Sequence, residues 1–180
     1  MAAPSAPSPF QTRPAPKQLA TMTDLTQQQV RQITEALNPL IADAFALYVK
    51  TKNFHWHVSG SHFREYHHML DKQSEQIFAS IDQLAERVRK IGGTTIRSIS
   101  HINALQTIKD DNDEFVPAGE MLRRLMEDHA HYAQNLRAAH QVCEGCRDVA
   151  TVSLLENLLD ETERRKWFLF ETVQGMNNTD

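Results

Sequence analysis

FREYHHMLDKQSEQIFASIDQLAERVRKI, residues 63–91, decides the fold. Phe63, Tyr66, Leu70, Ile77, Ile81, Leu84, Val88 and Ile91 recur at three- and four-residue intervals, with one gap of seven. At about 100° per residue they line one stripe of a single long helix. A second stripe runs beside the first. His67 and Asp71 are four residues apart, as are Asp82 and Glu86, and these four side chains share a line roughly 115° round from the apolar one. All four are hard or borderline metal ligands, yet Asp71 and Asp82 stand about 16 Å apart along the axis, against metal–ligand bonds of ~2 Å. One chain therefore cannot close the site. An antiparallel copy of the helix, related by a two-fold axis near Glu75 to Phe78, would set His67 and Asp71 of one chain opposite Asp82 and Glu86 of the other, twice over. An isolated acidic pair on a helix is usually a solvated face, but Phe78 and Ala85 lie among these ligands. An exposed Phe there fits a partner subunit better than water.

Outward from this helix the chain reads as all-α. Residues 1–22 hold five prolines among Ala and Ser and are expected to form an arm without fixed structure. Residues 23–175 are the folded unit and 176–180 a short tail. Thr23, Asp24 and Thr26 offer N-caps to a first helix whose stripe runs from Val30 through Leu37, Leu40 and Leu47 to His55, with a kink or restart expected at Pro39. Ser59, Gly60 and Ser61 turn the chain into the second helix, and Gly92 and Gly93 end it, giving an antiparallel hairpin. A long connection from Thr94 to Glu114 carries one short helical pattern around Ile102, Leu105 and Ile108. A third helix follows Pro117, and a fourth runs from about Asp148 to Val173. The architecture expected is a ferritin-like four-helix bundle with a short helix in the crossover between helices 2 and 3; a simple up-down bundle is the alternative.

His55 ends the first helix, and the hairpin returns the chain to His67. A lone histidine there would be a core or capping residue; with His67 and Asp71 nearby, a ligand is the better reading. A di-iron site inside the bundle would need Glu-x-x-His pairs facing the core. Glu65 and His68 have that spacing but point outward, Asp128 and His131 face away from Leu122, Leu125 and Leu136, and no histidine follows His140. His129 and His140 read as hydrogen-bonded core or interface histidines. Cys143-x-x-Cys146 lacks the further ligands of a zinc site and the strand-helix setting of a redox pair. The Arg87, Arg89 and Lys90 run reads as a solvated helix end. With 180 residues and 41% hydrophobic content one core is expected. No stretch reaches the ~20 apolar residues of a membrane span, and the N-terminal stretch lacks the order of a secretory signal. A cytoplasmic location is expected. The net charge of −4 suits cations better than nucleic acid.

Lys52-Asn-Phe-His-Trp-His-Val-Ser-Gly60, His67-x-x-x-Asp71 and Asp82-x-x-Ala-Glu86-Arg-Val-Arg-Lys-Ile-Gly-Gly93 closely resemble the Dps family, the mini-ferritins of starved bacterial cells. The resemblance runs from about Thr26 to Gln174. It implies a two-iron ferroxidase centre shared between subunits. Asp82 and Glu86 of one chain and His55 of its two-fold mate would hold the first iron, with His67 and Asp71 of that mate orienting a second, weaker iron or its waters. It implies Trp56 beside the centre as an interceptor of radicals. It also implies a hollow homododecamer that stores ferric mineral, and hydrogen peroxide as the oxidant in preference to dioxygen. Iron would reach the cavity past acidic residues at the start of the fourth helix, for which Asp148 is the first candidate and Glu144 the second; Asp148 as a plain helix cap is the competing reading. His57 departs from the Asn more usual in the family. DNA is the family's second partner, which would place the protein at the nucleoid. The arm offers only Arg13 and Lys17 for phosphates, so a DNA-compacting protein with a vestigial centre ranks as the alternative to an iron-storing ferroxidase.

Overall fold

The computed structural model describes residues 15–177; most of the expected arm, with Arg13, and the last three residues lie outside the described residues. Helix α1 spans Gln27–His57, α2 Phe63–Lys90, α3 Ile99–Leu105, α4 Ala118–Gly145 and α5 Val149–Asn177, and no strand occurs among the described residues. Thr26 starts α1 with a reciprocal capping box, its hydroxyl accepting from Gln29 N–H while the Gln29 side chain accepts from Thr26 N–H. The helix runs through Pro39 as one element rather than restarting there. Gly60, at φ 112°, turns the chain into α2. At the far end of α2, Gly92 takes φ 89°, and a Cβ on Gly93 would collide with Thr34 and Val88, so the chain passes tightly under α1.

α1 pairs with α2 and α4 with α5, and the crossover through α3 lays the second hairpin against the first. Ile33, Leu37, Leu47, Leu70, Ile77, Leu84, Leu122, Leu125, Leu136, Leu155 and Leu169 fill the interior. Asp43, fully buried in α1, fastens the crossover. Its carboxylate accepts from Thr107 N–H (2.5 Å), Thr107 Oγ1 (2.8 Å), Ile108 N–H (3.0 Å) and Asn135 Nδ2 (3.0 Å), so it satisfies the first turn after α3 and ties it to α4.

The basic run at the end of α2 is engaged, which corrects the reading of a solvated end. Arg87 clamps Asp148 at 2.5 Å and donates to Thr151 Oγ1 at 2.6 Å. Arg89 donates to Gly93 O and to Leu19 O, while Thr21 Oγ1 donates to Arg89 O. Residues 15–22, expected in the unstructured arm, thus include a short 3₁₀ turn, Lys17–Leu19, docked at this helix end. Only Lys90 fits the expectation, pairing on the surface with Glu86 at 2.9 Å.

Candidate metal centre

The hairpin turn folds the C-terminal end of α1 onto the first turns of α2, and two histidines lock the corner by exchange. His55 Nδ1 lies 2.8 Å from the His67 carbonyl, and His67 Nδ1 lies 2.9 Å from the His55 carbonyl. A carbonyl only accepts, so both Nδ1 atoms carry a proton, and Nε2 is the nitrogen that each neutral ring would offer to a metal. The two rings stack, with centroids 3.8 Å apart and planes 24° from parallel. Asp71, one turn beyond His67, brings Oδ1 to 3.8 Å from His55 Nε2.

Lys52 completes this corner and was not singled out by spacing. Its ammonium sits 2.5 Å from Asp71 Oδ1. That bond chiefly holds the Asp71 carboxyl below the usual carboxylate range; burial opposes it as the next largest effect, and the charge of Lys52 and any on the two histidines add to the lowering. A cation already stands where Asp71 would meet a metal.

Asp82 and Glu86 lie further along α2, both exposed. Asp82 has no partner among the described residues, and Glu86 meets only Lys90. Among the described residues of one chain, no three His, Cys, Asp or Glu side chains converge on a point. The five expected ligands therefore fall into two groups on one face, His55, His67 and Asp71 at one end and Asp82 and Glu86 at the other. Between and beside them, Phe78 is 54% exposed, Val49 58% and Trp56 64%; Tyr48 rests on Phe78 with ring centroids 5.0 Å apart.

Asp148 has the environment of a cap. It is buried, accepts from Thr151 N–H at 3.2 Å and from the Thr151 hydroxyl, and carries the Arg87 ion pair. Glu144 is exposed. At this corner Arg147 takes φ 59°, with Arg147 N–H donating to Glu144 O and Asp148 N–H to Cys143 O in a Schellman turn. Cys143 and Cys146 are free and buried, and burial pushes the Cys143 thiol up to about 12, so it stays protonated.

His140 reaches Glu156 at 3.2 Å. His129 is fully buried as expected, but neither ring nitrogen has a hydrogen-bond partner, and burial drives its pKa well down. Asp128 turns out to face α1, bonded to buried Lys50 at 2.7 Å, and burial raises its pKa against the pull of Lys50. No helix among the described residues is long and apolar enough to cross a membrane.

Comparison with known proteins places the fold in a family. The ferritin-like domain family model matches residues 34–178. A low temperature-induced protein of Nostoc sp. is 34% identical over 152 residues, 84% of this chain and 85% of its own. The DNA protection during starvation protein of Brevibacillus brevis is 32% identical over 133 residues, covering 74% and 89%. Among solved structures, DpsC from Streptomyces coelicolor superposes with a TM-score of 0.82 at 28% identity, over 85% of this chain and 90% of that one. On these matches this chain, an all-α ferritin-like bundle, belongs to the Dps family.

Proposed function

We propose that this protein oxidises Fe(II) at two symmetry-related centres of a dimer and stores the ferric product inside a closed homo-oligomer, twelve subunits as the family resemblance implies. The observation that carries this reading is the pair of half-sites. His55 and His67 each donate Nδ1–H to the other's carbonyl, with His55 Nε2 3.8 Å from Asp71, while Asp82 and Glu86 wait exposed along the same face without a third ligand in their own chain. The apolar side chains between them, Phe78, Val49 and Tyr48, supply the contact that a two-fold mate would bury.

Iron is the substrate, and each residue has a part in handling it. Asp82 and Glu86 supply anionic oxygen, which favours ferric over ferrous iron and so makes the electron easier to remove. His55 supplies a neutral nitrogen, oriented by its bond to the His67 carbonyl. Asp71 is shared with Lys52, so a second Fe(II) must displace an ammonium to reach it, which accounts for a weaker second position. Two Fe(II) give two electrons, which with two protons reduce one hydrogen peroxide to two waters; no one-electron product is left over. Dioxygen is the slower oxidant under this reading, the cytoplasm the location, and DNA a weak partner at most.

Asp82→Ala with Glu86→Ala tests the centre. Rapid-mixing absorbance should lose the fast Fe(II) oxidation phase while native mass measurement finds the assembly unchanged, because both side chains are solvent-exposed in the single chain and support no core. Wild-type kinetics in an intact oligomer would remove the proposal.

A further inference from the structure

A centre rich in carboxylates meets a difficulty of its own making. Asp71, Asp82 and Glu86 favour ferric over ferrous iron, so the ligands that ease oxidation also hold its product. On the function proposed above, a store must empty each centre many times. These three side chains alone would fill it once.

Two of the three carboxylates are already engaged by lysines. Lys52 Nζ stands 2.5 Å from Asp71 Oδ1, and Lys90 Nζ stands 2.9 Å from Glu86 Oε2. Lys52 lies on α1 and Lys90 is the last residue of α2, one turn beyond Glu86, so they engage opposite halves of the site. Lys50, two positions from Lys52, has no such part: it is buried and bonded to Asp128 on α4. The two-fold arrangement that sets Asp82 and Glu86 of one chain against His55 and Asp71 of its mate gives every centre one lysine from each chain. Both ammoniums are tethered beside their carboxylates, which keeps their effective concentration high. Three carboxylates against two ammoniums leave the empty centre one negative charge, which draws Fe(II) in. Two Fe(II) bring four positive charges and oxidation makes them six, so the ammoniums repel the product more than the substrate.

We propose that Lys52 and Lys90 regenerate the centre: each ammonium is displaced from its carboxylate as iron binds, and re-forms its ion pair as ferric iron leaves for the mineral. Only ion pairs of the lysines are exchanged. The electrons go to hydrogen peroxide as before, and the ferric ions leave with hydroxide taken from water, whose protons pass to solvent. Both lysines are positioning residues, acting on iron through Asp71 and Glu86. Each pair is partly exposed and is worth a factor of about 1.4 to 5, weak enough for iron to displace it.

Stopped-flow absorbance on the assembled iron-free protein tests this by successive additions of two Fe(II) and one hydrogen peroxide per centre, the fast-phase amplitude of each addition counting the centres emptied since the last. Wild type should recover its full amplitude between additions. Lys52→Met with Lys90→Met, which keeps both stems and removes both charges, should show the fast phase on the first addition and recover it at least about threefold more slowly. Lys52→Arg with Lys90→Arg should recover as wild type does, because the charges are kept. Recovery in the Met variant equal to wild type, or an Arg variant as slow as the Met one, would overturn the proposal. If the double Met variant fails to assemble, Lys90→Met decides alone: its ion pair lies on the surface of the chain, and its loss should slow recovery about twofold. A wild type without a fast phase on the first addition would refute the proposed function itself, and this inference with it, since the lysines act only after oxidation.

Discussion

Mixing two inactive subunits gives the sharpest test of a centre built by two chains. One chain carries His55→Ala and His67→Ala and loses the histidine end of the α2 face; the other carries Asp82→Ala and Glu86→Ala and loses the carboxylate end. Each homodimer has two broken centres. In a heterodimer one centre draws both defects and the other draws neither, because the ends of α2 are separated by about 16 Å from Asp71 to Asp82 and meet only across the two-fold axis. Random pairing of equal amounts makes half the dimers mixed, with one of two centres intact in each. The refolded mixture should therefore regain about one quarter of the wild-type fast-phase amplitude, at the wild-type rate per centre. Stopped-flow Fe(II) oxidation measures the amplitude, and native mass measurement of subunits differing in mass verifies mixing. No recovery in a verified mixed oligomer would refute the intersubunit geometry. Activity in either parent alone would refute the ligand assignment.

Other expectations follow from single contacts. Lys52→Met frees Asp71 from a partly exposed ion pair, so anaerobic Fe(II) titration should show the weaker position tightening by about two- to fivefold, the span of such a pair; an unchanged isotherm would mean Lys52 does not compete. In the wild type the Lys52–Asp71 pair is formed above the ordinary carboxylate pKa and is lost as pH falls through the lowered Asp71 value. Asp148→Asn keeps an acceptor for Thr151 N–H but leaves Arg87 uncompensated, and should cost about 1–3 kcal/mol in denaturant unfolding with iron uptake at low salt unchanged; slower uptake would restore Asp148 to an acidic funnel, the role that exposed Glu144 is better placed to fill. Duplex DNA binding should be weak, vanish as salt rises through the physiological range, and be lost on deleting residues 1–20 without loss of ferroxidase activity, because that stretch offers only Arg13 and Lys17. A gel shift that survives the deletion would place DNA on another surface.

The parts of the fold that were readable are those carried by periodicity and local chemistry. The apolar stripe of α2, the Thr26 cap and the turn at Gly60 each rest on residues only a few positions apart from the next, where spacing has a direct geometric meaning. Contacts between distant segments were silent. Arg87 and Arg89 look like a solvated run because nothing near them in sequence is acidic except Glu86; their partners, Asp148 and the Leu19 carbonyl, lie 61 and 70 residues away. Asp43 shows the same limit: an acid among Ala42, Ala44 and Ala46 is recognisably enclosed, but its four donors come from the crossover and from α4, whose docking the sequence does not display.

The candidate metal centre divides along the same line. The expectation of His67, Asp71, Asp82 and Glu86 as ligands, and of a second chain, comes from helix arithmetic on residues 67–86, which requires no tertiary knowledge. The ring nitrogen that each histidine leaves for a metal does not: it depends on each Nδ1 reaching the other residue's carbonyl across the hairpin, a reciprocity that exists only once Gly60 has turned the chain. Lys52 escaped notice for a related reason. A lysine on α1, nineteen positions before Asp71, has no meaning as a competitor until the hairpin closes, after which its ammonium is closer to that carboxylate than the His55 ring is, at 2.5 Å against 3.8 Å. The contact that would weaken the second iron position under the proposed function is thus a consequence of the same turn that brings His55 and His67 together. Loosening the turn should disturb both together. Gly60→Val, which forces a β-branched side chain to φ 112°, should weaken both iron positions, whereas Lys52→Met should tighten one and leave the other; if Gly60→Val spared the first iron, the corner would not be what orients His55.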